Sequence, residues 1–412
     1  MEDGELARNT AEAVARRSYG KLVALLAART RDVTAAEDAL AEAFAAALAH
    51  WPQSGVPANP EAWLITTAKR KTIDSARHRH RAEQAADHLK LMADELTCAN
   101  DNEIPDERLS LMFACAHPAI EAGIRAPLIL QTVLGFDAAT IASAFLIAPS
   151  SMSQRLVRAK AKIRRAGIPF RLPSRGDLSE RLDAVLDAIY TTYCEGWSDP
   201  RGTDINRRNL ATEGIWLGRL VASLLPDEPE ALGLLALMLH TEARREARRS
   251  ADGEFVPLTE QDTLLWDRTL IEEAEMLLLR ASTMKAIGRF QLEAAIQSAH
   301  ATRCFTGRTD WRAILGLYDA LWRMTHSPVV AINRAVALAE TDGPQAGLAA
   351  LDVQAADGRL SQYQPYWAAR AELLSRAGHE QDAGEALDIA IGLESDPAIR
   401  RFLQRKRSVL QG

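Results

Sequence analysis

A chain of 412 residues, 47% hydrophobic and 25% charged, is long for a single core and favours two or three domains, with a composition that leans to helix. Its acidic opening, MEDGELARN, lacks the apolar core of a signal peptide, and its longest apolar run, Ala231 to Leu239, is too short to cross a bilayer. The four cysteines, Cys98, Cys115, Cys194 and Cys304, have neither disulfide nor metal-ligand spacing, so a reduced cytoplasmic protein without bound metal or cofactor is expected.

The net charge of -6 is unevenly divided. Residues 1–177 hold 23 Lys/Arg against 21 Asp/Glu, and the remainder 26 against 34. Within the first part, Lys69–Arg81 has six basic residues against Asp74 alone, and Arg155–Arg165 has six and no acid. Between them Glu83–Glu107 carries eight acids against Lys90.

In chain order, Tyr19–Ala28 and Ala35–His50 show helical periodicity, with Thr34 placed to cap the second and Trp51-Pro52 to end it. The loop "PQSGVPANP" leads into a helix whose apolar stripe is Ile65, Ala68, Thr72 and Ala76. Arg70, Lys71, Asp74, Arg77 and Arg81 lie away from that stripe, a basic face on a rigid element suited to phosphates. Trp51 and Trp63 flank the loop and read as core anchors. "ERLSLMFACAHPAI", ended by Pro118, and "RAPLILQTVLG", closed by Gly135, are two further helices. Asp137 then caps a short helix, "LIAPSS" turns, and Ser150 or Ser151 caps a second helix with Leu156, Ala159 and Ile163 inside. That pair reads as a helix-turn-helix, with Ser151, Ser153, Gln154, Arg155 and Arg158 crowding the end of the helix that enters a groove, and Lys162 placed for phosphate.

These segments together resemble a group-four (extracytoplasmic-function) bacterial sigma factor. "AEDALAEAFAAALAHW" is similar to the family's core-polymerase-binding helix, A-E-D-L-V-Q-E-x-F, with Glu37, Asp38, Leu40, Glu42 and Phe44 matching and Ala41 in place of Gln. "WLITTAKRKTIDSAR" resembles the helix that reads and melts the -10 element, W-L-x-x-I-A-x-N-x-x-x-D-x-x-R, through Trp63, Leu64, Ala68, Asp74 and Arg77, with Arg70 where Asn is usual. "SSMSQRLVRAKAKIR" resembles the -35 helix, T-V-K-S-R-L-x-R-A-R-x-x-L, through Arg155, Leu156, Arg158 and Ala159, with Ser153 and Gln154 in place of Lys-Ser. The resemblance implies core RNA polymerase and promoter DNA as partners and no enzymatic activity. Glu37, Asp38, Leu40, Glu42 and Phe44 would meet polymerase. Asn59, Trp63, Arg70, Lys71, Asp74, Arg77 and Arg81 would meet the -10 element, and Ser151, Ser153, Gln154, Arg155, Arg158 and Lys162 the -35 element. An acidic linker in such a protein can imitate nucleic acid in polymerase channels, while a solvated tether has the same composition.

The expected organisation is an all-α chain: a first sigma domain over 10–82, an acidic linker over 83–104, a helix-turn-helix domain over 105–170, a helical connecting region over 178–290 and helical repeats over 291–412. The repeats show at a period of 36, where Ala295, Ala331 and Trp367 align, as do Ala299, Ala335 and Ala371. The last unit fits the tetratricopeptide pattern, which leaves a concave surface for a protein partner. His240 reads as a helix-end histidine, and no triad, metal or phosphate-loop pattern is present. A helix-turn-helix regulator with a repeat-type sensor accounts for the second module alone, and a tetratricopeptide scaffold for the C-terminal half alone.

Overall fold

The computed structural model describes residues 2–80, 106–145, 147–197, 205–354 and 358–410. Among these the protein is all-α, with nineteen helices and one isolated bridge, Arg249 to Phe255. Its contacts divide it into two compact units: one running to Trp197 and taking in Ile205–Gly214, the other beginning at Ile215.

The first unit opens with α1 (Glu2–Thr30), α2 (Val33–Ser54) and α3 (Pro60–His80). Asp32, not Thr34, caps α2, its carboxylate accepting the Ala35 amide at 3.2 Å. Pro52 does not end α2, which runs one turn further. The Gly55 amide bonds to the Trp51 carbonyl at 3.0 Å and the Ser54 hydroxyl to the His50 carbonyl, which holds that turn despite the proline. Trp51 is fully buried and Trp63 half-buried, their rings edge to face at 5.5 Å. Trp51 therefore anchors the core, as expected, while Trp63 packs its ring on Trp51 and stays partly exposed.

Next come α4 (Arg108–Cys115), α5 (Ala122–Leu134), α6 (Ala138–Ala144), α7 (Pro149–Arg165) and α8 (Arg175–Trp197). Gly135 closes α5 in the left-handed region at φ 75°. Asp137 caps α6 by accepting the Ala139 and Thr140 amides. Neither Ser150 nor Ser151 caps α7: it starts at Pro149, which needs no amide partner at a first helical position, so the serine side chains stay outward. α8 packs on α4 and α5 through Leu182, Val185, Leu186 and Ile189, and the Arg181 guanidinium donates to the Phe113 carbonyl at 3.0 Å.

In the second unit, α9 (Ile205–Leu224), of which residues from Ile215 belong here, precedes α10 (Pro229–Glu242). Every residue from Ala231 to His240 is buried, because α11 (Arg268–Thr283) and α12 (Arg289–Ala301) both pack on α10. The longest apolar run is thus a helix covered all round. After the short α13 (Arg303–Thr306) come α14 (Trp311–Thr325), α15 (Pro328–Asp342), α16 (Pro344–Gln354), α17 (Gln364–Arg376), α18 (Glu380–Leu393) and α19 (Pro397–Val409), with α15 packed most closely on α16 and α17 on α18. The 36-residue period is visible as α15 to α17 and α16 to α18. Gly347 sits where a Cβ would meet Ala339 and Leu373 at 2.7 and 2.9 Å, one place where the paired helices need a small residue. A segment before α11 folds back on the last helix: Arg249 pairs with Asp396 at 2.5 Å, Glu254 with Arg401 and Arg405 at 2.9 and 2.7 Å, and Phe255 meets Phe402 edge to face. A cleft of about 680 Å³ remains beside it, floored by Leu373, Leu387, Phe402 and Leu403.

Candidate nucleic-acid interface

α2 presents two faces. Val33, Ala36, Ala39, Leu40, Ala43, Ala47 and Trp51 are buried. Leu40, expected on a polymerase surface, is 0% exposed and holds α2 in place instead of presenting itself. Asp38 and Glu42 are exposed and Phe44 is half-buried. Glu42 reaches Lys71 of α3 at 3.4 Å, an exposed pair of little energetic weight.

Glu37 differs. Its carboxylate takes the Lys160 ammonium of α7 at 2.5 Å, with the two side chains 16% and 10% exposed. Burial raises the Glu37 carboxyl above its ordinary value, with Asp38 and Asp32 pushing the same way while Lys160 opposes it. One Glu37 oxygen, Oε1, is buried with no hydrogen-bond partner in the structure.

α3 begins on Asn59, whose side chain accepts the Ala62 amide at 3.0 Å. Asn59, expected on DNA, is exposed but also serves as a helix cap. Leu64, Ile65 and Ala68 face the core, while Arg70 and Lys71 face solvent. Burial, and then Arg29, lower the Lys69 ammonium. Asp74 and Arg77 continue along α3, but their side chains lie outside the described residues, as do Arg81 and the 83–104 segment.

α7 is sorted most cleanly. Met152, Leu156, Ala159 and Ile163 form its buried stripe. Ser151, Ser153, Gln154, Arg158 and Lys162 are exposed on the opposite side, with hydrogen-bonding groups at the N-terminal half and cations further along. Arg155 is partly held by Glu121 at 3.0 Å. Among these polar groups Val157 is 64% exposed, an apolar group of the kind that meets a thymine methyl. Sequence reasoning passed over Val157, and also Lys160, which turns inward to Glu37, and Arg164, which reaches Asp32 from an exposed position. The signal for Lys160 was its position directly beside the apolar stripe.

The arrangement therefore offers an acidic ridge on α2, a basic face beginning on α3 and an exposed polar face on α7. Residues 14–82 match the sigma-70 region 2 family, and residues 181–282 match a family of unknown function (DUF6596). An uncharacterised protein of Rhizobium meliloti (strain 1021) is 39% identical over 381 residues, which is 91% of this chain and 89% of the relative. No solved structure matches the chain.

Proposed function

Because the chain belongs to one family with the rhizobial protein and carries a sigma-70 region 2 at its N-terminus, we propose that it is an alternative sigma factor of the extracytoplasmic-function type. In this reading it brings core RNA polymerase to promoters through α2, reads the -10 element with α3 and the -35 element with α7, and is regulated by its C-terminal helical array. The observation that carries the proposal is the region 2 match over 14–82, which covers α2 and α3 with Asp38 and Glu42 outward on one and Arg70 and Lys71 outward on the other. The exposed row on α7 supports the -35 assignment, since phosphate contacts fix register and base contacts specify sequence.

The array's part is regulation. It lies in the half of the chain where acids outnumber bases, on the same polypeptide as two basic helices. Tethering of this kind reaches effective concentrations on the order of millimolar if the linker allows it. The array either masks the DNA-reading faces or docks a protein partner that switches the factor on.

Transcription in vitro with core polymerase tests both levels. The full chain is expected to direct start-site-specific transcription without another factor. Tight binding to duplex DNA with no response to polymerase would replace this reading with that of a conventional helix-turn-helix regulator. For the array, the comparison chain has to retain α8, which packs on α4 and α5, so it ends at Gly214, where the first unit closes. Masking predicts more transcription from the shortened chain and partner docking predicts less. Equal transcription, with and without cell extract, would remove the regulatory role.

A further inference from the structure

α7 performs two tasks on two faces, and its inner face rests on α2. Lys160 is bound to Glu37, and Arg164 reaches Asp32, the cap of α2, at 3.1 Å. The packing around these pairs is close. α1 packs against α4 and α5. At Gly20 of α1 a Cβ would meet the Val133 backbone of α5, lying 2.9 Å from its carbonyl carbon and nearer still to the oxygen. At Gly135 a Cβ would lie 3.0 Å from the Tyr19 ring. The helix that carries the candidate polymerase contacts and the helix that carries the candidate -35 contacts are thus parts of one closed body.

That body cannot read a promoter as it stands. Elements centred near -10 and -35 are about 25 base pairs apart, roughly 85 Å along B-DNA at 3.4 Å per step. Here α3 packs on α2 and α7 also contacts α2, and packed helix axes lie only about 8–10 Å apart. The two faces are separated by a fraction of the distance they would have to span. Engagement requires α7 to leave α2, and its departure uncovers Glu37.

We propose that the acidic ridge at Asp32 and Glu37 is a shared docking surface, held in the free protein by Lys160 and Arg164 of α7 and yielded to core polymerase on binding. The inference rests on the sigma-factor reading and adds a competition to it: the -35 helix and polymerase exclude one another at Glu37. Lys160 is the latch, since its side chain is only 10% exposed and points away from the DNA-reading row. Removing it strands a buried carboxylate, which penalises the closed form only.

The full-length protein and its Lys160→Glu and Lys160→Met variants are compared in two assays. Lys160→Met keeps the hydrocarbon stem and guards against a folding defect from the reversed charge. The first assay is affinity for core polymerase, and the second is amide hydrogen exchange of α2 and α7 in the absence of polymerase. The expected result is faster exchange in both helices and at least fivefold tighter polymerase binding, larger for Glu than for Met. If the wild type binds polymerase and both variants match it in affinity and exchange, the shared surface is wrong while the sigma reading stands. Faster exchange with weaker polymerase binding would also overturn it, because Lys160 would then be helping polymerase to bind. Failure of wild type and variants alike to bind polymerase would refute the sigma reading, and the competition with it.

Discussion

Replacing Gly20 with alanine sets two effects of opposite sign against each other. In an unconstrained helix the exchange stabilises by up to about 1 kcal/mol, because glycine has the greater backbone freedom to lose. Gly20 is not unconstrained. The added methyl would sit 2.9 and 3.1 Å from the carbonyl carbon and Cα of Val133, whereas carbon–carbon contacts are most favourable at roughly 3.5–4.0 Å. These are backbone atoms, so no rotamer change makes room. α1 and α5 would have to part by roughly 0.6 Å to relieve the carbonyl carbon alone. Overpacking of this kind costs about 1–3 kcal/mol, which leaves a net loss of up to about 2 kcal/mol on the closed packing while α1 itself gains. The two units need not unfold together, so a single denaturation midpoint is a poor readout. Native-state hydrogen exchange of the buried α1 segment from Leu22 to Ala27 resolves the local opening energy instead. Gly316→Ala in α14, where a Cβ meets nothing within 4 Å, is the internal control and should slow exchange there. If Gly20→Ala slows exchange in α1 as Gly316→Ala does in α14, the close approach of α1 to α5 does not exist in solution.

The second unit should weaken in acid. His240 and His300 are pushed down to about 4, chiefly by burial, with Arg244 adding to both, Arg303 to His300, and Glu275 at 3.5 Å from His240 not enough to offset it. Unfolded histidines bind protons below about pH 6.5 and these do not, so stability is full above that pH and falls between 6.5 and 4. The loss reaches about 3 kcal/mol per histidine, and urea titrations at pH 7.5 and 5 that gave equal stability would contradict it. In the first unit Trp51→Ala should cost about 3–5 kcal/mol by emptying the core. Trp51→Phe should cost far less, since the buried Trp51 indole nitrogen has no hydrogen-bond partner to lose; thermal melts of the two variants make the comparison. On α7, Gln154→Ala should alter the preferred -35 sequence in a randomised library by about 1–3 kcal/mol of discrimination. Arg158→Ala should weaken all sequences alike and flatten the salt dependence, and an unchanged preference in the Gln154 variant would move the register.

The outward faces were legible because a helix writes them at fixed spacing. Gln154, Arg158 and Lys162 fall on one exposed row, and Met152, Leu156, Ala159 and Ile163 on the buried one, as periodicity requires. Helix ends were less legible, because an N-cap depends on which carboxylate or hydroxyl reaches an amide. Thr34 and Asp32 are chemically similar candidates two residues apart, and geometry chose the aspartate. The inner role of α7 could not be read at all. Lys160 is a lysine beside an apolar stripe until its partner is known, and that partner stands 123 positions earlier. Long-range pairs of this kind leave no local pattern.

The strap between the 249–255 segment and α19 bears on how the array comes apart. In an open stack of helical pairs each unit leans only on its neighbours, so the last pair frays first and proteases trim from that end. Here Arg249 and Glu254 hold the final helix from 147 residues away, joining the end of the stack to its beginning. Loss of the terminal helix would therefore break contacts at both ends of the series at once. Unravelling one pair at a time is replaced by a single cooperative event, and a clip that removes α19 should loosen the first helices of the unit as much as the last.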